Sequence, residues 1–303
     1  MATAPNSAPS PTLSDWVAGA RPRTLPAAVV PVAVGAACAA GAGDSFGDDV
    51  VWWRVGGALV VALLLQIGVN YANDYSDGVK GTDDVRVGPM RLVATRTASA
   101  AAVKRAAVGT LLAAAVVGSV LAIATSWWLI AVGAAAILAA WGYTGGPKPY
   151  GYLGLGELFV FVFFGLVATV GTTYVAIERV PAITWGAATG VGFLACALLV
   201  INNLRDIPTD RAVGKRTLAV WLGEARTRVV YLLLIVGAFL AAAVCAGART
   251  WSLLALAALT IANDPMQKVR EGASGRDLIP ILAATGRTQL AYGLLFSIGL
   301  ALG

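Results

Sequence analysis

Charged residues are scarce in this sequence, and histidine is absent. Only 13% of the 303 residues are charged, whereas 58% are hydrophobic. A soluble domain carries about 25% charged residues, so the composition excludes an ordinary soluble protein and indicates a membrane protein. Without histidine, neither a histidine-based proton relay nor a histidine-ligated metal is possible. Any catalysis must therefore use carboxylates, lysine, tyrosine or a bound metal ion.

Cysteine is also rare, and its positions favour packing over chemistry. The three cysteines, Cys38, Cys196 and Cys245, all lie in apolar runs and are too far apart in the sequence for a zinc-binding motif. We interpret them as small buried side chains.

Long apolar runs dominate the chain. A helix needs about 20 predominantly apolar residues to cross a membrane, and nine stretches approach this length. No polar stretch is long enough for a second, soluble domain. The sequence therefore predicts an all-α fold, a polytopic membrane bundle of about nine transmembrane helices, in a single domain at 19–303. The predicted spans are 24–41, 55–73, 103–123, 126–142, 155–177, 183–203, 227–247, 250–263 and 280–302.

The first 18 residues differ from the rest of the chain. They are rich in proline, serine and alanine, and they lack the basic start and early apolar run of a secretory signal. We expect a flexible N-terminal tail at 1–18.

Positively charged residues are distributed unevenly between the predicted loops. If the N-terminus lies inside, all but three of the 22 lysines and arginines fall on the cytoplasmic side, as the positive-inside rule requires. The outer loops keep only Arg54, Arg179 and Arg249. We therefore predict a multi-pass protein of the cell (inner or plasma) membrane with its N-terminus inside and its C-terminus outside. This asymmetry and attraction to anionic lipids explain the net charge of +6 without nucleic acid.

Polar residues cluster at the end of the second predicted span. Asn70, Asp74 and Asp77 follow one another at i, i+4 and i+7, which places them on one face of a helix. The prediction is a polar stripe at the cytoplasmic end of an otherwise apolar helix.

A similar cluster follows the sixth span. Asn202 and Asp206 repeat the spacing of Asn70 and Asp74, with Asn203 beside them, which suggests a faint internal repeat. Pro208 is expected to end the helix near residue 207, so that Asp210 reaches the site from a turn.

Amide and carboxylate oxygens on two helices at one membrane depth are suited to a hard cation. Mg²⁺ fits best, because it usually binds through one or two carboxylates together with substrate phosphates. Ionised carboxylates near the bilayer are also costly without a positive partner. The alternative is that these residues are solvated helix ends that cap ordinary loops.

Cationic residues on the same side could bind a diphosphate together with the metal. The cytoplasmic loops are basic for reasons of topology alone, so only some of these residues can be ligands. Tyr143 and Lys148 lie in a glycine- and proline-rich loop, from which they could reach a phosphate. The candidate binding residues are Lys80, Arg91, Tyr143, Lys148, Arg205 and Lys215.

The two acidic motifs, NYANDYSDGVKGTD at 70–83 and NNLRDIPTD at 202–210, occur with nine spans and an intervening YTGGPKP loop. In this combination the chain resembles the UbiA-type intramembrane prenyltransferases. The segments 21–35, 79–92, 143–157 and 206–223 resemble the branch that prenylates 1,4-dihydroxy-2-naphthoate in menaquinone synthesis. Trp221 departs from this resemblance, at a position where a basic or small residue is expected.

The resemblance implies a Mg²⁺-dependent aromatic prenyltransferase. It would move a polyprenyl group from polyprenyl diphosphate to 1,4-dihydroxy-2-naphthoate, with loss of CO₂ and diphosphate, to give demethylmenaquinone. One Mg²⁺ ion would be held by Asn70, Asp74 and Asp77, and a second by Asn203, Asp206 and Asp210. The residues expected to take part in catalysis are Asp74, Asp77, Asp206, Asp210 and Lys148.

Three points stay open at this stage. The proton acceptor for the naphthol could be Asp77, Asp83 or the diphosphate itself. The acceptor could instead be hydroxybenzoate, homogentisate or haem, as in other branches of the family. A secondary transporter is the alternative from another class, but its charges would be expected near the midplane of the membrane.

Overall fold

The structure, a computed structural model, describes residues 11–43, 45–81 and 91–303. All regular secondary structure in these ranges is helical, which confirms the predicted all-α class. The helices are α1 (Leu13–Ala20), α2 (Pro26–Ala40), α3 (Trp52–Lys80), α4 (Ala100–Ala124), α5 (Leu129–Gly142), α6 (Gly156–Val160), α7 (Ala168–Ile177), α8 (Ile183–Ala212), α9 (Leu218–Cys245), α10 (Leu259–Arg270) and α11 (Leu278–Leu302). Wider π-helical turns at Phe161–Val167 join α6 to α7, and short 3₁₀ helices form at Pro22–Thr24, Tyr150–Leu153, Thr250–Ala258 and Gly275–Asp277.

Each predicted apolar run is helical over most of its length. By length and composition, five helices of the described chain can cross a membrane: α3, α4, α6 with α7, α8 and α9. A sixth is possible if α2 is joined to the preceding segment Leu13–Thr24 across a bend of 53°. The figure of nine crossings stays a prediction.

The outer surface of the bundle is apolar. Ile123 on α4, Leu138 on α5 and Val244 on α9 keep 86%, 72% and 76% of their surface exposed. Soluble monomers rarely expose extended apolar patches, so this surface is suited to contact with lipid.

The longest helix, α8, runs through the middle of the bundle. It packs against α2, α9, α11 and the π-helical turns, and most of its residues are buried. Small residues permit the closest of these contacts: a β-carbon on Gly165 would lie only 2.6 Å from Cα of Gly192 in α8. Such close backbone approach is typical of helix pairs in membranes.

The predicted end of the sixth span near residue 207 is wrong. Helix α8 continues through Pro208 to Ala212, so Asp210 lies on the helix and not on a turn. Pro208 removes one backbone hydrogen bond and its ring crowds the carbonyl four residues earlier, while its side chain is exposed. Burial of Ile207 and Asp210 on either side of the proline offsets that loss.

Helix α9 begins nine residues before its predicted start at 227. Thr217 caps it through its hydroxyl, which accepts a hydrogen bond from the backbone N–H of Val220. At Gly223 the backbone takes φ 74°, which breaks the helix after its first turn and favours glycine. Trp221 lies in this first turn with 66% of its surface exposed, so the departure from the family pattern disturbs no packing.

The three basic residues predicted for the outer loops all make contacts at one end of the bundle. Arg54 donates a hydrogen bond of 2.6 Å to Glu178, and Arg179 one of 2.6 Å to Asp49. The buried guanidinium of Arg249 donates to the last carbonyls of two helices, those of Gly41 after α2 and Leu300 in α11. The acidic motifs lie at the opposite ends of α3 and α8.

The contact between Gly165 and Gly192 gives a test of the packing. We expect Gly165→Ala to lower the stability by about 1–3 kcal/mol, because the added methyl group would overlap the backbone of α8. The matched control is Gly171→Ala in α7, where nothing lies within 4 Å of the added carbon. The measurement is the thermal unfolding midpoint in detergent; equal midpoints for the two variants would show that this contact does not limit packing.

Candidate active site

The polar stripe of α3 is buried where the helix ends. Asn70, Asp74 and Asp77 keep only 4%, 1% and 3% of their surface exposed. The amide of Asn70 donates to the carbonyl of Ala20 at 2.9 Å and to the hydroxyl of Thr24 at 3.1 Å. Asn70 therefore joins α3 to the end of α1 and to the 3₁₀ turn at Pro22–Thr24.

The two aspartates of α3 have different partners. Asp74 accepts hydrogen bonds from the backbone N–H groups of Leu92, at 2.7 Å, and Val93, at 3.1 Å. Asp77 accepts one from the Tyr152 hydroxyl at 2.9 Å and is paired with Arg91 at 3.5 Å. Asp74 is thus stabilised mainly by backbone dipoles, and Asp77 by a phenol and a guanidinium.

In α8, Asp206 forms the tightest ion pair of this region. The adjacent Arg205 donates to its two carboxylate oxygens at 2.7 and 2.8 Å, and also to Asn202 at 2.9 Å. Both side chains are almost fully buried. Arg205, predicted to bind diphosphate, neutralises Asp206 in this structure.

The other two predicted metal ligands on α8, Asn203 and Asp210, contact different neighbours. Asn203 donates its amide N–H to Glu157 Oε1 at 3.0 Å. Asp210 is paired with Lys215 at 3.5 Å, in the turn that follows the helix. The acidic end of α8 is therefore connected both to the start of α6 and to the segment before α9.

Tyr152 joins the two acidic groups. Its hydroxyl binds Asp77 of α3, while Lys80 and Lys215 lie 5.0 and 5.1 Å from the centre of its ring, within the range of cation–π attraction. Because Lys215 also pairs with Asp210, one aromatic ring lies between the acidic ends of α3 and α8. This arrangement is consistent with the expectation that the two acidic motifs bind one ligand together.

The loop that carries Tyr152 is attached to both helix ends. Lys80 donates to the carbonyl of Thr144 at 2.6 Å, and the Thr144 hydroxyl donates to Asn73 at 2.8 Å. On the other side, the backbone N–H of Arg216 donates to the carbonyl of Tyr152 at 3.1 Å. These contacts hold the loop at 143–155 across the end of the bundle.

Tyr143 and Lys148, the other predicted residues of this loop, differ in exposure. Lys148 is exposed, whereas Tyr143 is half-buried. Burial raises the pKa of Tyr143, and the nearby charge of Glu157 acts in the same direction. Smaller contributions to this pKa come from Tyr150, Asp77 and Asp210. Tyr143 is therefore a neutral hydrogen-bond donor within the field of both acidic groups.

The donor set suits a metal ion that arrives with a phosphate ligand. Among the described residues, no three acidic or cysteine side chains converge on a point that could hold an ion. Two carboxylates are instead present at the end of each helix, each with its own partner in the protein. Mg²⁺ commonly takes one or two protein carboxylates and completes its shell with water and phosphate oxygens, so these residues fit it. Two complete three-residue ligand sets stay a prediction.

Sequence reasoning missed two residues of this site. Tyr152 was not distinguished from the other tyrosines of its loop, since nothing in the local pattern shows which hydroxyl reaches α3. Glu157 had a usable signal, because a carboxylate at the start of an apolar span is costly and indicates a functional contact. Asp83, a candidate proton acceptor, lies outside the described residues.

Comparison with known sequences identifies relatives along nearly the whole chain. Residues 28–267 match the UbiA prenyltransferase family. The chain is 50% identical to the 1,4-dihydroxy-2-naphthoate octaprenyltransferase of Mycobacterium tuberculosis over 292 residues, which are 96% of this chain and 98% of that protein. It is 35% identical to the Escherichia coli enzyme of the same name, over 95% of each chain.

Solved structures share the fold at low sequence identity. A UbiA homolog from Archaeoglobus fulgidus bound to DMAPP and Mg²⁺ superimposes with a TM-score of 0.64 at 16% identity, covering 93% of this chain and 99% of that one. The apo structure of a UbiA homolog from Aeropyrum pernix gives a TM-score of 0.67 at 14% identity, covering 91% and 97%.

The pair of Arg205 and Asp206 gives a test of the electrostatics. We expect Arg205→Met to lower the stability by about 3–5 kcal/mol, because it removes the guanidinium that pairs with the buried carboxylate of Asp206. The double variant Arg205→Met/Asp206→Asn should recover most of this loss. Arg211→Met, at an exposed arginine of the same helix, is the control. The measurement is the thermal unfolding midpoint in detergent. If the double variant recovers none of the lost stability, Arg205 does not stabilise the protein by balancing the charge of Asp206.

Proposed function

We propose that this chain, which belongs to the UbiA prenyltransferase family, transfers a polyprenyl group from polyprenyl diphosphate to 1,4-dihydroxy-2-naphthoate. Diphosphate and CO₂ are released, and the product is demethylmenaquinone in its reduced, quinol form. The observation that carries the proposal is the 50% identity to a 1,4-dihydroxy-2-naphthoate octaprenyltransferase over 96% of the chain. The acidic ends of α3 and α8, joined through Tyr152, provide a site suited to a diphosphate.

Magnesium is part of the proposal. Asp74 and Asp77 on α3, with Asp206 and Asp210 on α8, would hold the ions, assisted by Asn70 and Asn203. Bound Mg²⁺ would supply the positive charge that bridges diphosphate oxygens and stabilises the charge of the leaving group. A relative of the same fold is described as bound to DMAPP and Mg²⁺, which supports this part of the proposal.

Three cations near the carboxylates would bind the diphosphate. Arg91 and Lys215 each lie 3.5 Å from a carboxylate, and Lys80 donates a hydrogen bond to the carbonyl of Thr144. Arg205, with two short hydrogen bonds to Asp206, is better suited to orient that aspartate. Tyr143 and Lys148 would bind from the loop.

The chemistry then requires an allylic carbon close to the electron-rich ring. Ionisation of the C–O bond leaves its electron pair on the diphosphate and produces an allylic cation. The ring carbon that bears the carboxylate attacks this cation, and the electron pair of the departing CO₂ restores the aromatic ring. The hydroxyl proton would be taken up transiently by Asp77, by Asp83 or by the diphosphate, and returned once CO₂ has left.

The acceptor is tested directly with the purified protein. It is incubated with Mg²⁺, a polyprenyl diphosphate and a panel of aromatic acids that includes 4-hydroxybenzoate and homogentisate. We expect mass spectrometry to find prenylated product and CO₂ only with 1,4-dihydroxy-2-naphthoate. Product formed from another acceptor in preference would overturn the assignment of substrate within the family.

The carboxylates give a second test. We expect Asp74→Asn and Asp210→Asn each to lower the rate at least about 100-fold, because each removes a negative charge from the metal and diphosphate site. Chelation of Mg²⁺ should have the same effect. The control is Asp264→Asn, since Asp264 is exposed and pairs with Lys268 one turn away. A normal rate in either site variant would refute its role as a ligand.

The orientation in the membrane can be tested by labelling. The three native cysteines are buried and should react slowly. We expect Arg179→Cys to react with a membrane-impermeant maleimide in right-side-out vesicles, and Arg211→Cys to react only after permeabilisation. Both arginines are exposed, at opposite ends of the bundle. The reverse pattern would place the active site outside.

A further inference from the structure

One carboxylate oxygen of Glu157, Oε2, has no function in the mechanism described above. Glu157 lies in the first turn of α6, where its Oε1 accepts a hydrogen bond from Asn203 at 3.0 Å. Its other oxygen, Oε2, is buried and has no hydrogen-bond partner anywhere in residues 11–43, 45–81 and 91–303. The backbone around it is firmly packed, since its carbonyl accepts a hydrogen bond from Cys196.

A buried carboxylate oxygen without a partner is unusual. More than about 90% of buried polar groups in proteins are hydrogen-bonded, and an unsatisfied one costs about 1–3 kcal/mol. The hydrogen bond that Asn203 donates to Oε1 favours the ionised form of Glu157, and an ionised carboxylate can only accept hydrogen bonds or bind a cation. The missing partner of Oε2 is therefore a hydrogen-bond donor or a positive ion supplied by a ligand.

Glu157 lies deeper in the bundle than Asp206 and Asp210, where the ring of the acceptor would bind. Its partner Asn203 precedes Asp206 in α8 by almost one helical turn, on the side of the apolar part of the helix. Tyr143 lies beside it: a β-carbon on Gly156 would be 3.6 Å from the Tyr143 hydroxyl. If the diphosphate binds at Asp206 and Asp210, the allylic carbon and the acceptor ring lie deeper, where Glu157 is.

A hydroxyl group explains the vacant oxygen better than an ion does. Mg²⁺ usually binds through one or two protein carboxylates, and the proposed function already assigns the ions to the aspartates of α3 and α8. The one side-chain contact of the Glu157 carboxylate in the described chain is a hydrogen bond from Asn203. A single hydroxyl needs only one acceptor.

We propose that Oε2 of Glu157 accepts a hydrogen bond from a ring hydroxyl of the aromatic acceptor, and so orients this substrate and selects hydroxylated rings. This inference rests on the proposed function, which supplies a dihydroxylated acceptor. A site built to bind a substrate hydroxyl discriminates strongly against analogues that lack it, because its buried polar group is then left unpaired.

The experiment uses Glu157→Gln in the full chain. Glutamine can still accept from Asn203, but it replaces the second acceptor with an N–H donor. We expect the KM for the acceptor to rise about 10- to 100-fold, as for loss of a hydrogen bond to a charged group. The KM for polyprenyl diphosphate and the Mg²⁺ requirement should stay unchanged. The matched control is Glu224→Gln, at a glutamate that pairs with Arg228 and has a half-exposed side chain.

Substrate analogues show whether the contact is direct. Naphthoates that lack the 1- or the 4-hydroxyl are used as competitive inhibitors. In the unmodified protein, one of them should bind more weakly than the dihydroxy compound, and in Glu157→Gln this difference should disappear. An unchanged acceptor KM, a shift in the Mg²⁺ requirement or retained discrimination between the analogues would each overturn the proposal.

Two further measurements keep the outcome interpretable. If Glu157→Gln does not fold, as judged by loss of polyprenyl diphosphate binding, Glu157→Asp retracts the carboxylate by one methylene and should weaken acceptor binding alone. If the unmodified protein prenylates no aromatic acid, the proposed function fails. Calorimetric binding of hydroxylated and deoxygenated naphthoates to the unmodified protein and the variant then still tests the contact.

Discussion

Buried carboxylates in an apolar bundle need partners of positive charge or hydrogen-bond donors, and this requirement organises one end of the molecule. An uncompensated buried charge costs several kcal/mol. Asp74 is satisfied by the backbone at 92–93, and Asp77 by Tyr152 and Arg91. These partners come from different parts of the chain, so satisfying the charges brings α3, the loop at 143–155 and the end of α8 together.

The ion pairs that balance these carboxylates differ in length. The pair of Arg205 and Asp206 is short, doubly hydrogen-bonded and formed by neighbours in sequence. The pairs of Asp77 with Arg91 and of Asp210 with Lys215 are both 3.5 Å long. The two short hydrogen bonds from Arg205 fix the orientation of the Asp206 carboxylate.

Packing at a distance from the charges makes this arrangement possible. Close contact of Gly165 with Gly192 brings the π-helical turns that follow α6 against α8, and Glu157 at the start of α6 lies beside Asn203. At the far end, the guanidinium of Arg249 joins the ends of α2 and α11. The bundle is thus held at both ends by polar contacts and in the middle by small residues. Its outward apolar side chains contribute to contact with lipid rather than to internal packing.

Local regularities let the sequence by itself determine the helical class, the approximate positions of the apolar helices, the family and the buried stripe of Asn70, Asp74 and Asp77. Hydrophobic run length and the helical period act over a few residues, so they can be read without knowledge of the fold. Only the tertiary structure decided that α8 continues past Pro208, that Tyr152 reaches Asp77 and that Glu157 meets Asn203. These outcomes depend on contacts between residues far apart in the sequence, whose energies outweigh the local preferences of proline and of the loop.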